Sequence, residues 1–148
     1  MKRLVLVILL LAAVAAQAQT KLYKEYEHRR EVKQVMCKMN YAVGGIKIDV
    51  TLIQMNDDRA FARVCRECGI TPDFANRRSQ QGIFYLRLHD NKDPHKPVPT
   101  KDGAPVLKKA CLVGASLEEH TVYVFHDIRN QERYQAVLHF IKELKTEN

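Results

Sequence analysis

The spacing of hydrophobic residues predicts four strands. Between Ile46 and Leu52 aliphatic and polar residues alternate, which is the pattern of a strand with one buried face. Residues 83–88, 106–113 and 120–125 predict three further strands, because they concentrate β-branched, aromatic and other apolar side chains over short runs.

Apolar residues at spacings of three and four predict three helices. The first covers residues 21–39. The second begins at residues 56–58, which supply a capping side chain and negative charge in the first turn, and it ends before Gly69. The third is capped by Asp127 or Asn130, and its apolar stripe extends to Leu144.

The first 18 residues predict a signal peptide that is removed. Lys2 and Arg3 precede an apolar run at residues 4–16, and Ala-Gln-Ala at residues 16–18 fits the small-x-small cleavage pattern. The run is too short to span a bilayer, which takes about 20 helical residues. We therefore expect the mature product in the periplasm or outside the cell, without a transmembrane segment.

The mature chain, residues 19–148, is expected to form one globular α+β domain. The order of elements is helix, strand, helix, three strands, helix, and successive strands favour hairpins. We predict a two-layer sandwich, with a four-stranded mixed or antiparallel sheet and its helices on one face. Residues 90–105 form a loop in this scheme, because four prolines exclude a helix or a central strand there.

The end of the leader carries a resemblance. The segment Ala-Ala-Gln-Ala-Gln at residues 15–19 is followed closely by the charged, tyrosine-containing residues 21–26. This arrangement resembles the small exported proteins of unknown function in Bacteroidota-type bacteria. The resemblance implies an exported protein from a bacterial source, and it implies no activity.

The chain has four cysteines, which are Cys37, Cys65, Cys68 and Cys111. They leave three interpretations open. Cys65 and Cys68 have the C-x-x-C spacing of redox proteins, but they fall near the carboxyl end of a helix, where the dipole raises a thiol pKa. A zinc site usually joins two such motifs, and only one is present. In an oxidising compartment two disulfides, or one disulfide and two buried thiols, are the simplest interpretation. Bridges from the second helix to Cys37 and to Cys111 are our preferred pairing, because a bridge within one helix strains the geometry.

A second group of candidate residues opens the proline-rich loop: His89, Asp90, Asp93 and His95. Imidazoles and carboxylates bind borderline metals, yet a solvated loop contains the same residue types. No metal-hydrolase motif, calcium loop or nucleophile elbow accompanies them. The basic residues are distributed over the whole chain, and the mature net charge is +5 rather than +7, so we expect no nucleic-acid partner.

These features favour a non-catalytic cell-envelope protein that binds an unidentified envelope protein or ligand and carries no cofactor. Residues 90–105 are the predicted contact, because long loops in small domains are usually functional or disordered. The alternative hypothesis is a thiol-redox or metal-binding protein that uses the Cys65 and Cys68 pair.

Overall fold

The described residues form seven strands and two α-helices. The computed structural model describes residues 25–43, 45–79, 82–93, 95–126 and 128–147, and at 38–43, 78–79 and 145–147 the backbone alone. The elements are β1 Val32–Val43, β2 Ile46–Met55, α1 Asp58–Glu67, β3 Phe84–Asp90, β4 Thr100–Lys101, β5 Ala104–Pro105, β6 Ala110–Ser116, β7 Thr121–His126 and α2 Gln131–Glu147. Short 3₁₀ helices lie at Glu25–His28, Phe74–Ser79 and Leu107–Lys109. The predicted signal peptide lies outside the described residues.

Five of the strands form one antiparallel sheet in the order β1-β2-β7-β6-β3. In this sheet Phe125 of β7 lies between Val50 of β2 and Leu112 of β6. The α+β class is therefore confirmed, and the sheet has one strand more than the four that were predicted.

Each face of the sheet is covered by one helix. The core under α1, called the α1-face core, contains Ile53, Phe61, Val64, Cys65, Cys68, Cys111, Val113, Val122 and Val124. The core under α2, called the α2-face core, contains Val50, Leu52, Val98, Leu107, Leu112, Tyr123, Phe125, Val137 and Ile141. Successive residues of β7 alternate between these two cores, because neighbouring side chains of a strand point to opposite faces.

This arrangement corrects the prediction of helices on one face. All of the residues in β6 and β7 are buried, so both faces of these strands must be kept from water. A single helical layer covers only one face of a sheet. The apolar residues at both odd and even positions of β7 require the second layer.

The helix predicted over residues 21–39 is wrong. In the described part of this segment a 3₁₀ turn at Glu25–His28 leads into β1, which pairs with β2. Two bulges interrupt the pairing, after Val32 and after Lys38. A bulge adds one residue and breaks the period of two, so the apolar positions imitate helical spacing.

The other predicted strands are confirmed with shifted boundaries. The strand at 83–88 is β3, and the strand at 120–125 is β7. The strand predicted over 106–113 instead begins with the 3₁₀ turn Leu107–Lys109 and continues as β6.

Both α-helices begin at capping side chains that were among the predicted ones. The Asp57 carboxylate accepts a hydrogen bond from the Ala60 backbone N–H at 2.8 Å, and Gly69 follows α1 with a φ of +80°. The Asn130 side chain accepts from the Arg133 N–H at 2.9 Å at the start of α2. Asp127, the alternative cap, lies outside the described residues. Neither α-helix of the described chain has the length and apolar composition needed to cross a bilayer.

Truncation of Phe61 tests the α1-face core. Its ring is fully buried between α1 and the sheet, so Phe61→Ala is expected to lower the free energy of unfolding by about 3–5 kcal/mol. Leu86→Ala is the control, because Leu86 is 42% exposed, and its cost should be about 1 kcal/mol or less. Urea denaturation followed by circular dichroism measures both, and equal losses would contradict the packing described.

Candidate functional site

Three of the four cysteines lie inside the α1-face core. Cys65 and Cys68 are on the inner side of α1, Cys111 is on β6, and all three are buried. The Cys111 thiol donates a hydrogen bond to the Phe125 carbonyl at 3.4 Å. These side chains act as small apolar residues in the packing between helix and sheet.

Burial disfavours the thiolate at the C-x-x-C motif. Removal from water, together with the nearby Cys68, raises the pKa of Cys65 well above its ordinary value. Burial and the adjacent Glu67 carboxylate raise the pKa of Cys68 to about 12. Cys68 also occupies the C-cap of α1, the end predicted from the sequence. Since the thiolate is the reactive species, burial opposes reaction at this pair.

The predicted disulfides are not formed in this structure, where all four cysteines are free. Our preferred pairing joined α1 to Cys37 and to Cys111. Cys37 lies on the edge strand β1 and is exposed, whereas Cys65 and Cys68 face the interior on α1. The burial of three thiols under α1 gives them a packing role.

A short series of polar contacts crosses three strands and starts at Cys37. Its Sγ lies 3.7 Å from the Thr51 hydroxyl, which in turn lies 2.7 Å from His126 Nε2. Thr51 and His126 are buried, while Cys37 is exposed. This connection was not predicted from the sequence, because β1 was predicted as a helix and Thr51 is 75 residues from His126.

A charged group at the start of α1 was also missed. The Asp58 carboxylate contacts the Arg77 guanidinium and His120 Nε2, each at 2.5 Å. The Arg77 and His120 hydrogen bonds lower the pKa of Asp58. These residues are distant in sequence, and the only part of the group that the sequence indicated was the negative charge in the first turn of the helix.

The candidate residues at the opening of the proline-rich loop make separate contacts within the loop. His89 is fully buried, and its Nδ1 lies 2.6 Å from the Asp90 carbonyl oxygen. The Asp90 carboxylate accepts from the Lys92 N–H at 2.8 Å, and the Asp93 carboxylate accepts from the His95 N–H at 3.0 Å. Both carboxylates therefore stabilise turns of the loop.

The described residues contain no group of three His, Cys, Asp or Glu side chains placed to hold a metal ion. Asp90 is half-buried, and Asp93 and His95 are exposed. The His89 ring is fully buried, so it is not accessible to a partner in this structure. Asp93 and His95 stay accessible to a partner.

The loop is an ordered projection of the fold. We define residues 91–109 as the hairpin lobe, of which residue 94 lies outside the described residues. β4 and β5 form a separate two-stranded hairpin whose turn has φ values of +54° at Asp102 and +79° at Gly103. A two-residue Asp-Gly turn is a strong hairpin signal, and it could have been recognised in the sequence.

Apolar anchors attach the hairpin lobe to the fold. Val98 and Leu107 are buried in the α2-face core. The Val106 N–H donates to the Pro99 carbonyl at 2.8 Å, and the Asn91 N–H donates to the Lys109 carbonyl at 2.9 Å. Residues 99–105 between the anchors are all exposed. The lobe thus combines an exposed tip with a buried apolar base.

The surface of the hairpin lobe is basic. Its exposed charged side chains are Lys92, Asp93, Lys96, Lys101, Asp102, Lys108 and Lys109. Their net charge is +3, and no ion pair to these lysines occurs within the described residues. A cluster of exposed and unneutralised cations attracts anionic surfaces.

No protein-family model, curated protein or solved structure matches the chain. Two open grooves of about 500 Å³ and 520 Å³ lie beside α2 and at the turn before β7. Neither groove is lined by a cysteine.

Alkylation of the reduced, native chain tests the positions of the thiols. We expect one iodoacetamide adduct per chain at Cys37, and four adducts after unfolding, because the other three thiols are buried. Intact mass and peptide mapping give both numbers. Cys37→Ser should reduce the native number to zero. Rapid modification of Cys65 or Cys68 in the folded chain would show that α1 does not cover them.

Burial of His89 predicts a loss of stability in acid. Burial lowers the pKa of His89 below its ordinary value of 6.5, so the unfolded chain binds a proton that the folded chain does not bind. The free energy of unfolding contributed by this group is therefore retained above about pH 6.5 and lost as the pH falls below it.

His89→Gln should remove this contribution and flatten the decline in stability between about pH 7.5 and about pH 5.5. Urea denaturation at several pH values measures the slope. His95→Gln is the control, because it changes an exposed ring in the same loop. An unchanged slope in His89→Gln would contradict the role assigned to burial.

Proposed function

We propose that the chain is an exported cell-envelope protein that binds an anionic partner through the hairpin lobe and catalyses no reaction. The observation that carries this proposal is the exposed, basic hairpin on a buried apolar base. The lobe contributes two side chains to the α2-face core, Val98 and Leu107, and residues 99–105 between them are exposed.

The order of the lobe supports binding. Its backbone is held by hydrogen bonds at Pro99 and Lys109, and by the type of turn at Asp102 and Gly103. A surface that is already ordered loses little conformational entropy when a partner binds. The lobe can therefore contribute affinity even though the exposed tip is small.

The charge of the lobe supports an anionic partner. Five exposed lysines stand against two exposed aspartates, and complementary charge increases both the association rate and the selectivity of binding. Acidic proteins and acidic polysaccharides carry the charge that this surface recognises.

Export is supported by the basic, apolar and small-residue segments at residues 1–18. The packing of three cysteines as free thiols in the α1-face core supports a non-catalytic role, because burial opposes their ionisation. The thiols of the C-x-x-C pair and the His89 ring are buried and are not accessible.

Charge reversal on the lobe tests the proposal. The triple variant Lys92→Glu, Lys101→Glu, Lys109→Glu changes exposed side chains and leaves both apolar anchors in place. Binding to immobilised poly-glutamate and to dextran sulfate is measured by biolayer interferometry at several salt concentrations. We expect the dissociation constant to rise by at least about tenfold, equivalent to about 1.4 kcal/mol.

The matched control is Lys33→Glu, Lys47→Glu, Lys142→Glu, which makes the same change in net charge at exposed lysines on β1, β2 and α2. It should retain most of the affinity. Equal loss in both triple variants would show that net charge alone governs binding. Absence of wild-type binding to both polymers would also contradict the proposal.

A further inference from the structure

The outer edge of β1 is the most extended open edge of the sheet in the described part of the chain. β1 covers twelve residues and pairs there with β2 alone. The opposite edge, β3, is distorted by the positive φ of Tyr85 and is bridged to Pro97 at His89. Unpaired backbone N–H and C=O groups on an edge are a template for another strand. β1 is therefore a surface on which a further strand can align.

The accessible thiol lies in the regular part of this edge. Pairing of β1 with β2 is continuous from Gln34 to Lys38, and bulges interrupt it on both sides. Cys37 belongs to this run, and it is exposed while the other three cysteines are buried. A disulfide to another molecule is consequently open to Cys37 alone.

We propose that β1 pairs in antiparallel orientation with β1 of a second copy of this chain, and that a disulfide joins the two Cys37 residues. In a two-fold symmetric pair a residue faces its own equivalent only at the axis. With the axis at Cys37, the two Cα atoms lie about 4.5–5.5 Å apart. Disulfides span about 4.4–6.8 Å between Cα atoms, so the geometry of paired strands suits the bridge.

This register avoids a clash of charge. Within the regular run, Lys38 of one copy lies opposite Met36 of the second copy, and the two lysines do not face each other. Like charges directly opposite each other destabilise a strand pair. The bulges limit the paired segment to a few residues. The area that this segment buries is far smaller than the roughly 1,200–2,000 Å² buried in stable interfaces. The disulfide is thus required for a lasting dimer.

The covalent step needs an oxidant, which we assign to a small-molecule disulfide. One Cys37 thiolate attacks a sulfur of this oxidant, forms a mixed disulfide and releases one small thiolate. The Cys37 thiolate of the second copy attacks the Cys37 sulfur of that mixed disulfide and releases the other small thiolate. The two released groups take up the two protons that the cysteines lost, so two cysteines are oxidised and one small disulfide is reduced.

The neighbouring side chain suits this reaction. The Thr51 hydroxyl, 3.7 Å from Cys37 Sγ, can donate a hydrogen bond to the thiolate that attacks. The persistence of the bridge rests on the proposed export, because oxidising compartments preserve disulfides. Its formation from purified protein does not depend on export or on the hairpin lobe.

The test uses the reduced full chain and oxidised glutathione. We expect a covalent dimer on non-reducing electrophoresis, a peptide map that contains only the Cys37–Cys37 linkage, and slower amide hydrogen exchange at residues 34–38 in the dimer. Cys37→Ser should give no covalent dimer. A monomer that carries glutathione at Cys37 as the sole product would overturn the proposal.

A control separates strand pairing from random collision of exposed thiols. Cys37→Ser, Gln135→Cys moves the accessible thiol to an exposed position on α2. The wild-type chain should form its dimer at least about tenfold faster than this variant, because pairing raises the effective concentration of the thiols. Equal rates, or unchanged hydrogen exchange at residues 34–38, would contradict pairing through β1.

Discussion

Burial of both faces of β6 and β7 determines how the other elements are arranged. Val124 faces the α1-face core and Phe125 faces the α2-face core, so neither face of these strands can be left in water. Each apolar face gains stability in proportion to the area that is covered. One helix on each side satisfies this requirement. The same constraint places β1 and β3 at the edges, where strands with more polar residues are tolerated.

Local signals predicted most of the elements, whereas their arrangement required tertiary information. The caps at Asp57 and Asn130 act through side-chain hydrogen bonds within three residues, so the starts of both helices could be recognised in the sequence. β1 could not, because its bulges disturb the alternation that identifies a strand. The continuous apolar run at residues 122–125 of β7 indicates that both faces are buried, but which helix covers each face depends on tertiary packing.

The candidate sites likewise combine features that local sequence signals predict with features that only tertiary packing shows. C-x-x-C spacing identified Cys65 and Cys68, but only the packing of α1 shows that both thiols are buried and difficult to ionise. Prolines identified the loop at residues 90–105, and the structure adds its apolar anchors and basic surface. His89 has the residue type of a ligand, yet it is enclosed. The accessible chemistry is thus concentrated outside the two cores, on the hairpin lobe and at the edge strand that carries Cys37.

Nuclear magnetic resonance mapping of an anionic partner tests most directly whether the hairpin lobe is the binding surface. The isotopically labelled chain would be titrated with poly-glutamate while the backbone amide shifts are followed. If the lobe is the binding surface, the shift changes are concentrated at residues 91–109 and diminish as salt is added. Changes of equal size around the exposed arginines of α1, or none at the lobe, would contradict it.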